Sequence, residues 1–235
     1  MVNFQQFEVL SFDCYGTLID WETGISTALK TILSNHSISL NDAQILELYA
    51  QLESKYQAGE YLKYREVLKR VVQDFCASLN VKPSELELTS LAESIKYWEP
   101  FPDTVGALQA LKKRYKLTII SNIDDDLFAY TAQKLKIDWD WVITAEQVKS
   151  YKPSTQNFEV AIQRMSIAPE KLLHIAQSLY HDMVPAKALG ITAVWVNRRK
   201  GKAGFGATVP ASATPDVEVP DLKSLVSLMG LIKNS

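Results

Sequence analysis

The chain has 235 residues, 47% of them hydrophobic and 22% charged, with a formal net charge of -2. That length holds one large domain or a core with a smaller second unit, and a near-neutral balance without long runs of one sign gives no case for nucleic-acid or membrane binding. Cys14 and Cys76 make neither a disulfide framework nor a zinc spacing, no apolar run reaches spanning length, and the first residues lack a secretion signal, so a reducing, cytoplasmic setting is expected.

Residues 8–12 read as a short buried strand. Asp13 stands at its carboxyl end, where open α/β sheets bind ligands, and Gly16-Thr17 follow where the backbone must turn. Gly16 permits an unusual backbone angle, and Thr17 offers a hydroxyl and an amide. Alone, this Asp-x-x-Gly-Thr is also an ordinary Asx turn. From residue 20 the pattern is helical: segments over 21–33, 43–56 behind Asn41-Asp42, and 61–79, and a fourth that opens at Ser84 or Thr89. Pro100 and Pro102 end this run. Residues 20–98 are thus expected as a helical cap inserted into a core of 1–19 and 99–235.

Beyond it, helix and strand alternate. Asp103 is expected to cap a helix through Lys113, and strands are expected over 117–120, 141–144, 172–176 and 193–196. Helices fall over 127–135, 153–165 and 184–189, with a terminal one over 221–233. This order argues for an α/β fold with a doubly wound parallel sheet, Rossmann-like, covered on both faces. Gly204-Phe205-Gly206 opens no helix and belongs to no G-x-G-x-x-G, so residues 201–215 read as a surface loop.

The strand ends carry Asp13 with Thr17, Ser121 with Asn122, Lys152, and Gln177-Ser178 with Asp182. Any one alone is an ordinary cap or turn residue; together at one sheet edge they form a constellation. The set resembles the haloacid dehalogenase superfamily: Phe12-Asp13-Cys14-Tyr15-Gly16-Thr17-Leu18 is similar to its first motif, Ser121-Asn122 to its second, Tyr151-Lys152-Pro153 to its third and Ser178-Leu179-Tyr180-His181-Asp182 to its fourth. Within it the chain resembles the type II (S)-2-haloacid dehalogenases. Ile19-Asp20-Trp21-Glu22-Thr23-Gly24 and Gln177-Ser178-Leu179-Tyr180-His181-Asp182 resemble their azetidine-2-carboxylate hydrolase relatives still more closely.

The resemblance implies a hydrolase in which Asp13 displaces a leaving group from the C2 carbon of a small 2-substituted carboxylate and forms an aspartyl ester. It implies that Lys152 holds Asp13 ionised, that Thr17, Ser121 and Asn122 donate to the substrate or oxyanion, and that Asp182 fixes Lys152 and helps activate water. Gln177 and Ser178 are expected to line the water pocket. Tyr15 and Trp21 are expected to wall the substrate, unless they serve packing between core and cap. Family phosphatases carry acids where this chain has Tyr15 and Gln177, so no cofactor is expected, with magnesium needed only if the protein is a phosphatase instead. The same residues also fit a ring-opening azetidine-2-carboxylate hydrolase or a non-catalytic relative that kept the fold, and the resemblance allows a homodimer. Type II dehalogenases place a halide-receiving arginine early in the cap; the first arginine after Asp13 is Arg65, and Arg65 or Tyr49, Tyr56 and Tyr61 are the substitutes at hand. Their aromatic residue soon after the lysine is Phe158 here, without a hydroxyl, and the resemblance implies that it binds substrate. His174 reads as an interior strand position, His181 as a pocket rim and Cys14 as a small buried filler.

Overall fold

Val9–Phe12 (β1) is apolar apart from Ser11 and buried along its whole length, as a strand covered on both faces must be. The computed structural model describes residues 2–231. After β1 come four helices, α1 (Trp21–Asn35), α2 (Asp42–Gln57), α3 (Tyr64–Ser78) and α4 (Glu85–Ser94). The chain then continues through α5 (Thr104–Lys112), β2 (Lys116–Ser121), α6 (Asp125–Leu135), β3 (Trp141–Thr144), α7 (Ala145–Val148), α8 (Gln156–Met165) and β4 (Leu172–Ala176). A π-helical turn, Leu179–Met183, leads into α9 (Val184–Ala188), β5 (Thr192–Val196), β6 (Val217–Val219) and α10 (Leu222–Leu228). No helix among the described residues is long and apolar enough to cross a membrane.

The strands form one parallel sheet in the order β3-β2-β1-β4-β5-β6. The chain winds outward one way from β1 to β3, then returns beside β1 and winds the other way, so β1 and β4 flank the switch point where such sheets bind ligands. Alternate side chains feed two cores. Leu10, Phe12, Leu117, Ile119, Leu173 and Ile175 pack with α5, α6 and α10 on one side, while Val9, Ile120, Leu172 and Ala176 pack with α8 and α9 on the other.

The expected strands and helices are all present, with shifted ends. The capping boxes of Asn41 with Gln44 and of Ser84 with Glu87 open α2 and α4, which settles the choice between Ser84 and Thr89. Asp103 is not a side-chain cap of α5: its carboxylate accepts instead from Arg198 Nη1 at 2.8 Å and the Leu222 amide at 2.7 Å, and so ties α10 to the sheet. The helices expected from 61 and 153 begin at Tyr64 and Gln156, and the terminal helix closes at Leu228; residues 232 and 233 of that expectation lie outside the described residues. Strand β6, three residues inside a polar stretch, was not expected.

Helices α1–α4 leave and rejoin the sheet through two paired segments. Ile19 and Pro100 form an isolated antiparallel bridge, the Asp20 amide donates to Glu99 O at 2.9 Å, and the Phe101 amide to Leu18 O at 3.0 Å.

Candidate active site

Asp13 follows β1 at the switch point and is 7% exposed. Gly16 turns the chain there with φ +92°; a Cβ on it would lie 2.7 Å from Trp21 Nε1 and 3.1 Å from Gln177 Oε1, so only glycine fits. The turn brings Thr17 back under the strand, where its hydroxyl donates to Asp13 Oδ2 at 2.9 Å and accepts from the Gln177 amide at 2.9 Å.

Lys152 reaches in after β3 and is 1% exposed. Its ammonium donates to Asp13 Oδ1 at 2.9 Å, Ile120 O at 2.8 Å and Asp182 Oδ1 at 2.5 Å, which uses all three protons. The Lys152 backbone is clamped by Asn122, whose Oδ1 accepts from its amide at 2.8 Å and whose Nδ2 donates to its carbonyl at 3.0 Å. Burial opposes the charge on Lys152, yet Asp13 and Asp182 together hold its ammonium above the ordinary lysine value. Burial lifts the Asp13 carboxyl above its ordinary value against the pull of Lys152 and Thr17. Burial also acts against Asp182, but Lys152 and His174 win there and keep it below the usual carboxylate range.

Asp182 sits in the π-helical turn after β4, an irregularity frequent at functional sites. His174 Nε2 lies 3.0 Å from Asp182 Oδ1, and His174 Nδ1 lies 2.8 Å from Ser11 Oγ. With Asp182 ionised, Nε2 is the donor in its pair with Oδ1. Register makes the contact with Ser11, because Ser11 and His174 are direct partners across β1 and β4.

Asp13, Lys152 and Asp182 open into a cavity of about 30 Å³, also lined by Tyr15, Ser121, Asn122, Ser178 and His181 from the strand ends and by Trp21, Glu53, Gln57 and Tyr64 from α1, α2 and α3. By that measure it takes one or two waters. Ser121, His181, Asp182 and Thr208, all lining residues, each carry a buried polar atom without a partner: Oγ, Nε2, Oδ2 and Oγ1. Burial first, aided by Lys152, lowers the His181 imidazole to about 4, so it is neutral at pH 7.

Several sequence expectations change here. Of Thr17, Ser121 and Asn122, only Ser121 keeps a hydroxyl without a partner; Thr17 is spent on Asp13, and the Asn122 amide donates to Gln57 Oε1 at 3.1 Å and to Lys152 O. Gln177 is absent from the lining and acts through its backbone, its carbonyl accepting from Trp195 Nε1 at 2.8 Å. Phe158 is not at the substrate side. It points from α8 into the second core and meets the His174 ring edge-on at 4.8 Å, so it supports His174 from behind. Arg65 cannot receive a leaving group, because it pairs outside with Glu93 at 2.6 Å and Asp126 at 2.7 Å. Tyr56 is bound to Asp74, and Tyr61 stacks on Tyr151 outside this lining. Tyr15 lines the cavity with its ring while its hydroxyl pairs with Thr131 at 2.8 Å, and Ser178 also caps the π-helical turn by accepting from the His181 amide.

Glu53, Gln57, Tyr64, Thr208 and His174 were not among the expected site residues. Glu53 was legible as a carboxylate on the buried stripe of α2, one turn after Tyr49, and His174 as a polar side chain in a buried strand. Thr208 lies in a loop with no pattern to announce it. Among the described residues no group of three or more His, Cys, Asp or Glu side chains is arranged to hold a metal ion.

A family model described as a haloacid dehalogenase-like hydrolase matches residues 7–190. The chain is 26% identical over 233 residues to a haloacetate dehalogenase of Moraxella sp. (strain B), covering 97% of this chain and 100% of that one. It is 27% identical over 227 residues to an (S)-2-haloacid dehalogenase of Pseudomonas putida, covering 93% and 96%. The fold matches that of a defluorinating L-2-haloacid dehalogenase with a TM-score of 0.79 at 22% identity, over 95% of each chain. It likewise matches an L-2-haloacid dehalogenase of Xanthobacter autotrophicus with covalently bound chloropropionic acid, TM-score 0.79 at 20% identity, over 95% and 98%. A match over most of the chain, with the aspartate, the lysine and the second aspartate gathered at one switch point, makes this chain a member of the haloacid dehalogenase-like hydrolase family.

Proposed function

We propose that the protein is a metal-independent hydrolase of the 2-haloacid dehalogenase type, which attacks C2 of a small 2-halocarboxylate through an ester on Asp13. The observation that carries this reading is the buried Lys152 ammonium held between Asp13 and Asp182. An ammonium 2.9 Å away favours the ionised Asp13, and burial makes that carboxylate more basic than one in water, hence a better nucleophile. The relatives named as haloacetate and (S)-2-haloacid dehalogenases support a carbon–halogen substrate.

An Asp13 oxygen forms a bond to C2 while the C2–halogen bond breaks and its electron pair leaves as halide. Water then adds to Cγ of Asp13, the Cγ–O bond to the substrate breaks, one proton of the water goes to the departing alkoxide and the other to solvent, and the 2-hydroxy product leaves with an oxygen that began on the enzyme while Asp13 returns to its carboxylate. Ser121 Oγ, with Thr208 Oγ1 and Gln57 Nε2, is an unpartnered donor of the lining for the substrate carboxylate or the oxyanion, and the unpartnered Asp182 Oδ2 accepts from the attacking water and orients it. Lys152, Thr17, Asn122 and His174 are positioning residues in this reading. Residues 20–98 act as a cap over a core of 1–19 and 99–235, and keep bulk water out while the ester forms.

The donor set does not suit magnesium, which takes an octahedral shell of oxygens. Asp13 Oδ1 and Asp182 Oδ1 both face the Lys152 ammonium, the Tyr15 hydroxyl is engaged by Thr131, and the Gln177 side chain is not in the cavity wall. No step is routed through a metal.

The test is halide release from (S)-2-chloropropionate in excess EDTA, with Asp13→Asn beside the parent protein. Release that disappears in Asp13→Asn is expected; no release, or release that needs added magnesium, overturns the reading.

A further inference from the structure

Glu53 is the one carboxyl that the cap contributes to the cavity of Asp13, and it is 3% exposed. Its Oε1 accepts from the Tyr49 hydroxyl at 2.9 Å and from Tyr64 at 2.5 Å, and those two hydroxyls lie 2.9 Å apart. No cation pairs with it among the described residues. The groups facing it are Tyr49 on its own helix, Tyr64 on α3, Asp13 and Tyr15 after β1, Tyr151 and Lys152 after β3, and His181 and Asp182 after β4. Lys152 is the only cation in the lining, and its protons are already taken.

We infer that Glu53, as a neutral carboxylic acid, donates a hydrogen bond to the leaving atom as it departs from C2, and that this favours fluoride among the halides. The inference rests on the ester chemistry of Asp13 proposed above. An anionic substrate adds to the negative charge of Asp13 and Asp182, and an ionised Glu53 beside them would repel it. Burial, then the charge of Asp13 against the pull of the tyrosines, brings the Glu53 carboxyl to about 7, so the acid is populated at neutral pH. Oε1 takes both tyrosine hydroxyls and the Gln57 side chain also faces the carboxyl, so the inference places the acid's proton on Oε2.

Fluoride is the most basic halide and the strongest hydrogen-bond acceptor among them, so a donor at the leaving atom assists C–F cleavage far more than C–Cl cleavage. In the step, the Asp13 O–C2 bond forms and C2–F breaks with its electron pair going to fluoride. The proton stays on Glu53, because hydrogen fluoride is the stronger acid.

The experiment compares fluoroacetate and chloroacetate in EDTA from pH 5.5 to 8.5, reading halide and kcat/KM for the parent protein, E53Q, E53A and D13N. Glutamine mimics the permanently protonated acid, with its carbonyl on the tyrosines and its amide toward the cavity. The expected result is a fluoride-to-chloride ratio that falls above about pH 7 in the parent protein. In E53Q that ratio is held flat, and in E53A it drops on the order of 100-fold while chloride release changes by less than about 5-fold. Folding of each variant is checked separately by circular dichroism and melting temperature. A ratio independent of pH, or equal losses on both substrates in E53A, overturns the role of Glu53 and leaves the Asp13 reading standing. Release in D13N, or no release of either halide by the parent protein, overturns both.

Discussion

Lys152 sets one positive charge between two buried carboxylates and, in the proposed mechanism, presents one of them for attack. Lys152→Met would leave Asp13 and Asp182 facing each other without a cation, which costs about 3–5 kcal/mol of stability near neutral pH. One of the pair would then take up a proton, its folded value raised above the unfolded one. A carboxyl raised in that way favours folding below its unfolded pKa and loses the advantage as pH rises through the folded value. The deficit of Lys152→Met against the parent protein should therefore be smaller at pH 5 than at pH 8 by urea denaturation; an equal deficit at both contradicts it. Glu53 obeys the same sign in the parent protein. Burial lifts it from 4.5 to about 7, so folding loses stability as pH climbs through that window. E53Q removes the penalty and should gain of order 3 kcal/mol over the parent at pH 8.5 and nothing at pH 4. A destabilised E53Q at pH 8.5 would contradict the buried, shifted acid.

At the scale of elements, the site is made by what ends each strand. Gly16→Ala would place a Cβ at φ +92° against Trp21, and we expect a stability loss of about 1–3 kcal/mol with at least tenfold slower halide release. Unchanged turnover would mean that the turn after β1 does not set the position of Asp13. These strand ends were also what the sequence made most legible. Largely apolar runs of four to six residues announce a parallel sheet, and the polar residues Asp13, Ser121 and Gln177 at the ends of three of them announce its functional edge. What stayed hidden depends on pairing between distant segments. Ser11 and His174 meet only through register, Asp103 prefers Arg198 and Leu222 to its own helix, and β6 is a strand because β5 lies beside it. Phe158 stands close in sequence to Lys152, but α8 turns it to the far side of His174.

At the scale of the molecule, a cavity of about 30 Å³ has room for one or two waters, and we expect the proposed cap to open for a 2-halocarboxylate to enter. If residues 20–98 move as the proposed cap, the paired segments around Ile19 and Pro100 are where it would pivot, and we expect the start of α3 to act as the latch. There the Asp124 carboxylate, 1% exposed, accepts from the Tyr64 and Arg65 amides at 2.9 Å each and so caps a helix across the junction. Lys63–Glu146 and Arg65–Asp126 surround it at 2.7 Å each. Asp124→Ala should cost about 1–2 kcal/mol and speed amide hydrogen exchange in the first turn of α3. Unaltered exchange there would remove Asp124 as the latch. In the proposed mechanism closure would keep bulk water from the Asp13 ester while it forms and admit a single oriented one afterwards. The central claim, that Asp13 carries the substrate, is tested most directly by one turnover of excess enzyme on (S)-2-chloropropionate in ¹⁸O-water, followed by mass spectrometry. We expect unlabelled oxygen in the 2-hydroxy product and the label in the peptide containing Asp13; label in the product with none in Asp13 would mean that water attacks C2 directly and would contradict the account.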